Sequence, residues 1–214
     1  MPELFVNPEG APFEIIDDPA RLDAIEAELG EDLARRGLPA SWGRVGVVYE
    51  DPYGMTLRDA VRRPDGSLGT YTRRLNPGNA PGVVILPVCS GEVVLLRHFR
   101  HSTRQWHLEL PRGYGTPGAV ADDDARRELL EELGALATAL VPLGVVHPDT
   151  GQMSTAAALY YAEIEEFRDT GEEEGIGGTV AVAPAILAEL IRTGGITDGF
   201  TVNAYAQALL RGLL

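Results

Sequence analysis

The sequence predicts an α/β protein with a β-rich N-terminal part, and three observations carry that expectation. Segments 44–50, 55–63 and 69–74 are short and rich in β-formers, with the turn residues Pro64-Asp65-Gly66-Ser67 between the last two. Asn76-Pro77-Gly78-Asn79-Ala80-Pro81-Gly82 is the strongest break in the chain. Beyond it, β-type runs are interleaved with apolar residues at helical spacing, the pattern of a sheet with helices packed on it. The expected division is residues 1–78, an N-terminal helix plus a β-rich subdomain, and residues 79–214, a larger α/β domain.

Residues 1–17 hold Pro2, Pro8 and Pro12 and read as an irregular or extended lead-in. Asp18-Pro19 has the form of an N-cap followed by proline in the first turn. Leu22, Ile25, Leu29 and Leu33 then recur at helical spacing, and Gly37 is the stop. Past the break, Val83–Val88 and Glu92–Phe99 flank Cys89-Ser90-Gly91 as a hairpin. A short strand at 107–110 leads into Pro111-Arg112-Gly113. A helix is expected from Asp122 to Leu133, closed by Gly134, followed by strands near 142–147 and 156–163. The acidic loop Gly171-Glu172-Glu173-Glu174-Gly175 precedes a strand at Thr179–Ala183, and two helices, 185–193 and 200–211, follow it.

Composition narrows the chemistry. The 214 residues include one cysteine, Cys89, so there is no intramolecular disulfide framework and no cysteine-rich zinc site. The net charge is −14, from 18 basic and 32 acidic residues, which disfavours nucleic acid or an anionic membrane as partner. Every basic residue is arginine; without lysine, Schiff-base chemistry and a P-loop lysine are excluded. No apolar run approaches the roughly 18–20 residues of a membrane span, and the N-terminus lacks the basic start and apolar core of a signal peptide. A cytoplasmic protein is the expectation.

The informative segment is GYGTPGAVADDDARRELLEELGA, Gly113 to Ala135. On the predicted helix Glu128, Glu131 and Glu132 stand at i, i+3 and i+4, three carboxylates within one turn. Like charges at that spacing cost a bare helix about 0.2–0.5 kcal/mol per pair, so something should offset them. A hard divalent cation such as Mg²⁺ suits the task, because it takes carboxylate oxygens and keeps positions for phosphate oxygens. Leu129, Leu133 and Ala125 supply an apolar face. A solvated acidic face would explain the triad alone. The full run from Arg127 to Gly134 arises by chance on the order of once in ten thousand at average residue usage.

This run resembles the Nudix box, G-x5-E-x7-R-E-U-x-E-E-x-G-U with U a bulky aliphatic. Gly113, Arg127, Glu128, Leu129, Glu131, Glu132 and Gly134 match, and Ala135 is a weak match for the last position. Ala119 departs from the pattern, which has glutamate there; Asp122, Asp123 and Asp124 are the residues able to pair with Arg127 instead. Leu108-Glu109-Leu110-Pro111-Arg112-Gly113 resembles the strand and turn before the box in the ADP-ribose pyrophosphatase branch. Val94 to Arg100 resembles that branch's L-x-x-Q-Y-R strand, with His98-Phe99 for Gln-Tyr. Ile191-Arg192-x-Gly194-x-Ile196-x-Asp198, then Thr201, resembles its C-terminal helix-turn-helix. The similarity covers roughly residues 44–210; residues 1–43 have no counterpart in it.

The resemblance implies an α/β/α Nudix sandwich preceded by a small β-rich domain, and a homodimer with exchanged N-terminal domains. It implies Mg²⁺-dependent hydrolysis of the pyrophosphate in a nucleoside diphosphate linked to another group, ADP-ribose or a nucleotide sugar being the leading substrates, with Mn²⁺ able to replace Mg²⁺. Glu128 and Glu132 are then the main metal ligands, Glu131 a further ligand or catalytic support, and the Arg112 carbonyl completes a site. Arg100 holds a phosphate through its planar fork. The base comes from an acidic loop beyond the box, which favours Glu174 and then Glu172. Two other readings stand beside this one: a degenerate module that binds a nucleotide or partner without turnover, suggested by Ala119 and the Tyr114–Val120 loop, and an enzyme repurposed for an unusual nucleotide conjugate.

Other chemistry-bearing residues have weaker claims. His98, His101 and His107 lack the spacing of a zinc protease motif and read as structural or substrate-contacting. Cys89 beside a turn reads as inert, and Ser154 lacks a nucleophile elbow. Trp42 and Trp106 offer faces for a nucleobase, with core or rim packing the more ordinary role.

Overall fold

The computed structural model describes residues 2–76, 80–169 and 175–214. The chain is α/β and divides into two compact units. One comprises Met1–Pro77 with Asp149–Ser154, the other Gly78–Pro148 with Thr155–Leu214.

In the first unit, strand β1 (Glu14–Ile16) precedes helix α1 (Pro19–Arg35). Asp18 caps α1 as its sequence promises, its Oδ1 accepting from the Ala20 N–H at 3.0 Å. Strands β2 (Gly46–Asp51), β3 (Gly54–Arg62) and β4 (Leu68–Leu75) follow. β3 is central: β4 lies antiparallel on one edge, while β1 and β2 share the other. Ile16, Ile25, Val45 and Ala60 form this unit's core, with Leu22 and Leu29 of α1 packed on it. The lead-in is more ordered than an irregular segment. A 3₁₀ turn spans Pro2–Phe5, and the Asn7 side chain donates to the Ile15 carbonyl and accepts from its N–H, at 2.9 and 2.7 Å. That holds the three residues of β1, too few to show a period in sequence. Residues Asp149–Ser154 join this unit through Arg74, whose N–H donates to Gln152 at 2.7 Å and whose carbonyl accepts from Ser154 at 3.1 Å.

The second unit is built on a seven-stranded mixed sheet among the described residues. Strands β5 (Gly82–Cys89) and β6 (Glu92–Arg100) form the expected hairpin. Ser90 and Gly91 both have positive φ, 50° and 82°, as a two-residue turn of the primed type requires. β7 (Gln105–Glu109) pairs with β6, and the two-residue β8 (Arg112–Gly113) pairs with β5 at Val83 and Val84. After helix α2 (Ala121–Leu133) come β9 (Ala137–Val146), β10 (Ala157–Ile164), β11 (Ile176–Val182), α3 (Pro184–Thr193) and α4 (Gly199–Leu210). The order is β11-β6-β5-β10-β9, with β10 parallel to β5 and antiparallel to β9.

Both faces of this sheet are covered, and the residues record it. Along β5 and β6, Val84, Leu86, Val93 and Leu95 face one core with Leu187 of α3 and Ala204 and Ala208 of α4. Val83, Ile85, Val94 and Leu96 face the other with Ala125, Leu129 and Leu133 of α2. Alternate residues serve alternate helical layers, so these strands read as continuous apolar runs. Strand β9 starts at Ala137, five residues earlier than the expected 142. Its Pro142 lies opposite Tyr160 at a register shift, and among the described residues β9 pairs with β10 alone; proline is tolerated on such an edge, and it disguises the strand. Among the described residues no helix is long and apolar enough to cross a membrane.

Candidate functional site

Helix α2 positions the acidic residues. Asp122, Asp123 and Asp124 occupy its first turn, where carboxylates complement the helix dipole. Gly134 ends it in the left-handed conformation, at φ 57°, and the Ala135 N–H turns back to the Leu129 carbonyl at 3.2 Å. Between these ends, Ala125, Glu128, Leu129, Glu132 and Leu133 are all buried on one arc. Glu128 and Glu132, one turn apart, form the polar margin of that arc. Glu131 stands away from them, its side chain 56% exposed. The sequence pattern brings the carboxylates onto one turn, and burial then separates them into an inner pair and an outer single.

The β8 turn meets the inner pair. The Arg112 N–H donates to Glu132 Oε2 at 2.9 Å. A Cβ on Gly113 would overlap the Glu128 carboxylate where it stands, so glycine here lets Glu128 keep this position against the loop. Two buried carboxylates thus lie against the backbone of Arg112–Gly113.

Arg127 offsets the crowded negative charge. Its guanidinium pairs with Glu128 at 2.8 Å, Glu131 at 2.7 Å and Asp124 at 3.3 Å, and donates to the Tyr114 carbonyl at 3.0 Å. Burial alone would lower the Arg127 pKa, but the surrounding carboxylates raise it. Asp124 supplies what Ala119 lacks. Ala119 is exposed, whereas Asp124 is buried and binds the loop through Thr116, whose N–H and hydroxyl donate at 2.9 and 2.7 Å. Burial works to raise the Asp124 pKa; the Thr116 and Arg127 hydrogen bonds outweigh it and hold the carboxyl below the usual range. Of the three aspartates the sequence offered as partners for Arg127, the structure selects Asp124.

A second cluster centres on Glu109, a residue the sequence reading passed over. It is 1% exposed at the end of β7. Arg100 contacts its Oε1, His98 Nδ1 lies 3.3 Å from the same oxygen, and Arg112 Nη2 reaches Oε2 at 3.2 Å. The signal was a lone acid inside the apolar run Leu108-Glu109-Leu110. Arg112 continues to Asp198 Oδ1 at 3.4 Å and lies over the Phe200 ring, 4.8 Å from its centre. Asp198 also caps α4, accepting from the Thr201 N–H and hydroxyl at 2.9 and 2.8 Å, while Thr201 Oγ1 accepts from the Leu110 N–H at 3.1 Å.

The remaining residues singled out in sequence fall elsewhere. Glu172 and Glu174 lie outside the described residues. His101 Nδ1 is 2.8 Å from Arg104 and His107 Nε2 is 2.7 Å from the Thr103 hydroxyl. Half-exposed Trp106 stacks under Arg97 at 4.1 Å and meets Phe99 edge-on at 5.5 Å. In the first unit, Trp42 is exposed and the Ser154 hydroxyl donates to the Arg74 carbonyl at 3.3 Å. Cys89 donates to the Glu165 carbonyl.

No three His, Cys, Asp or Glu side chains among the described residues form a ready-made metal cage. The donor chemistry nevertheless suits Mg²⁺: two buried carboxylates beside a loop backbone, held where a Cβ would otherwise be, for a cation that keeps several waters and needs only one or two carboxylates.

The buried carboxylate pair on a helix lies against a glycine turn, beside a mixed sheet covered on both faces. Residues 78–177 match the NUDIX domain family, so this stretch of the chain is a Nudix domain. ADP compounds hydrolase NudE of Escherichia coli (strain K12) is 33% identical over 61 residues, which are 28% of this chain. The match spans about a third, 33%, of that relative's length. A crystal structure of an ADP compounds hydrolase shares the fold with a TM-score of 0.68 at 22% identity, covering 79% of this chain and 93% of the other.

Proposed function

We propose that this chain is a Mg²⁺-dependent Nudix diphosphatase. It hydrolyses the pyrophosphate of a nucleoside diphosphate linked to a second group, ADP-ribose or a nucleotide sugar first among them, and releases a nucleoside monophosphate and the phosphorylated second group. The observation that carries this reading is the buried Glu128–Glu132 pair against the Arg112–Gly113 backbone. The similarity to ADP compounds hydrolases supports the substrate class.

Glu128, Glu132 and the Arg112 carbonyl are the proposed metal ligands. The cation, when bound, neutralises phosphate charge and lowers the pKa of a water. Glu131, out at the helix surface on Arg127, is assigned to support. Arg127 and Asp124 keep the Tyr114–Thr116 loop fixed on α2, so the carboxylates stay ordered in their positions. Arg100, oriented by Glu109, is assigned to a substrate phosphate. The proposed base for the water is an acid of the loop beyond the box, Glu174 first, with Glu172 the alternative. Mn²⁺ is expected to substitute for Mg²⁺, and the working assembly is proposed to be a cytoplasmic homodimer.

The test is a panel of ADP-ribose, nucleotide sugars, dinucleotides and nucleoside triphosphates with Mg²⁺ or Mn²⁺, products separated by chromatography. Turnover of a diphosphate conjugate is expected. Glu132→Gln should lower kcat roughly 10²-fold or more, the scale of losing a group that stabilises developing charge, while circular dichroism stays native because Gln still accepts from the Arg112 N–H. Undiminished turnover in this variant would remove Glu132 from the metal site.

A further inference from the structure

Arg112 faces two ways. Its main chain belongs to the carboxylate pair: the N–H bonds Glu132 at 2.9 Å, and β8, only two residues long, ties the same backbone to Val83 and Val84. Its side chain leaves in another direction and is fastened at three places. These are Glu109 at 3.2 Å, Asp198 at 3.4 Å, and the ring of Phe200 at 4.8 Å. Glu109 is itself fully buried and shared with Arg100 and His98, and Asp198 is fixed by capping α4. The side chain thus ends in a rigid surround, although it is 22% exposed.

Such an investment is more than a surface arginine needs. The main chain of the turn is held by β8's pairing with Val83 and Val84 and by the Pro111 carbonyl, which accepts from the Ile85 N–H at 3.0 Å, a short backbone anchor for a turn that must present a carbonyl and an N–H beside two carboxylates. The guanidinium supplies a further constraint, because its Nη2 is shared between two fixed acids, Glu109 and Asp198. We propose that the Arg112 side chain is a positioning residue for the divalent-cation site: the Glu109–Arg112–Asp198 chain sets the turn on which Glu132 and the Arg112 carbonyl act. This rests on the functional reading above and adds to it a second layer running to the N-terminus of α4.

Mn²⁺ binding to the substrate-free full chain, followed by electron paramagnetic resonance, reads this without catalysis. Arg112→Met keeps the side-chain stem and removes the guanidinium that reaches Glu109 and Asp198. Asp198→Asn keeps the helix cap, because asparagine also caps, and removes the ion pair. Both variants should weaken Mn²⁺ binding by roughly 10-fold, the usual scale for groups that orient ligands. For Asp198→Asn the melting temperature without metal should stay near the wild-type value, which a purely structural role could not combine with weaker binding. Arg192→Gln, on the exposed face of α3, should change neither. If Asp198→Asn and every folded Arg112 variant bind Mn²⁺ as wild type does, while Glu132→Gln does not, the positioning role is wrong and the metal site stands. If wild type takes up no Mn²⁺, or Glu132→Gln takes up as much, the functional reading falls and this inference with it.

Discussion

Asp124 shows how a single residue can satisfy a requirement from a different sequence position. It accepts two hydrogen bonds from Thr116 and one from Arg127, and these keep its carboxyl ionised below the usual carboxylate range despite burial. A carboxylate whose pKa is depressed on folding contributes its stability in full above its unfolded value, near 3.9, and loses it as pH falls through the folded value. Asp124→Asn should therefore cost about 1–3 kcal/mol at pH 7. The gap from wild type should then narrow as the pH drops below about 4. Urea denaturation at a series of pH values measures this; a gap that stays constant down to the acid limit would mean that shape, not charge, is what Asp124 provides. The sequence held this information only in part. Three adjacent aspartates were equally eligible, and the choice among them is made by which one the helix turns inward.

At the scale of the element, α2 was the most legible part of the chain, for physical reasons that β1 and β9 lack. Its apolar residues recur at 3.6-residue spacing and Gly134 supplies an unambiguous end, so the expected Asp122–Leu133 differs from the observed Ala121–Leu133 by one residue. Three-residue β1 is held by Asn7, and β9 hides behind Pro142; neither presents a period to read. Within the candidate site the motif identified Glu128, Glu132 and the glycine turn, because spacing carries them. Glu109 and Asp198 were not legible, because their roles depend on which strands and helices meet. The same helix yields a stability prediction. Leu129 is fully buried between α2 and the sheet, so Leu129→Ala should cost about 2–5 kcal/mol. Its neighbour Leu130 is 50% exposed, and Leu130→Ala should change stability by less than about 0.5 kcal/mol. Chemical denaturation of the two variants compares them directly; equal losses would contradict the inward and outward faces described for α2.

For the whole molecule the dominant fact is charge: 32 acidic residues against 18 arginines, a net of −14. Some of that repulsion is relieved locally, as Arg127 does for three carboxylates, yet the arginines are outnumbered. Two effects of added salt then oppose each other. Screening weakens the favourable but exposed surface pairs, such as Arg192 with Glu189 or Arg35 with Asp32. It also weakens the many unpaired acid–acid repulsions, which act over the ~10 Å Debye length at 0.1 M ionic strength and sum across the surface. The excess of acids over arginines decides between them: the repulsive sum is larger, so screening should stabilise the fold. The melting temperature should rise by a few degrees between about 0.01 and 0.3 M NaCl, since a gain near 1 kcal/mol moves a domain of this size by about 2–4 °C. A flat or falling curve would mean that the arginine pairs already balance the acidic surface.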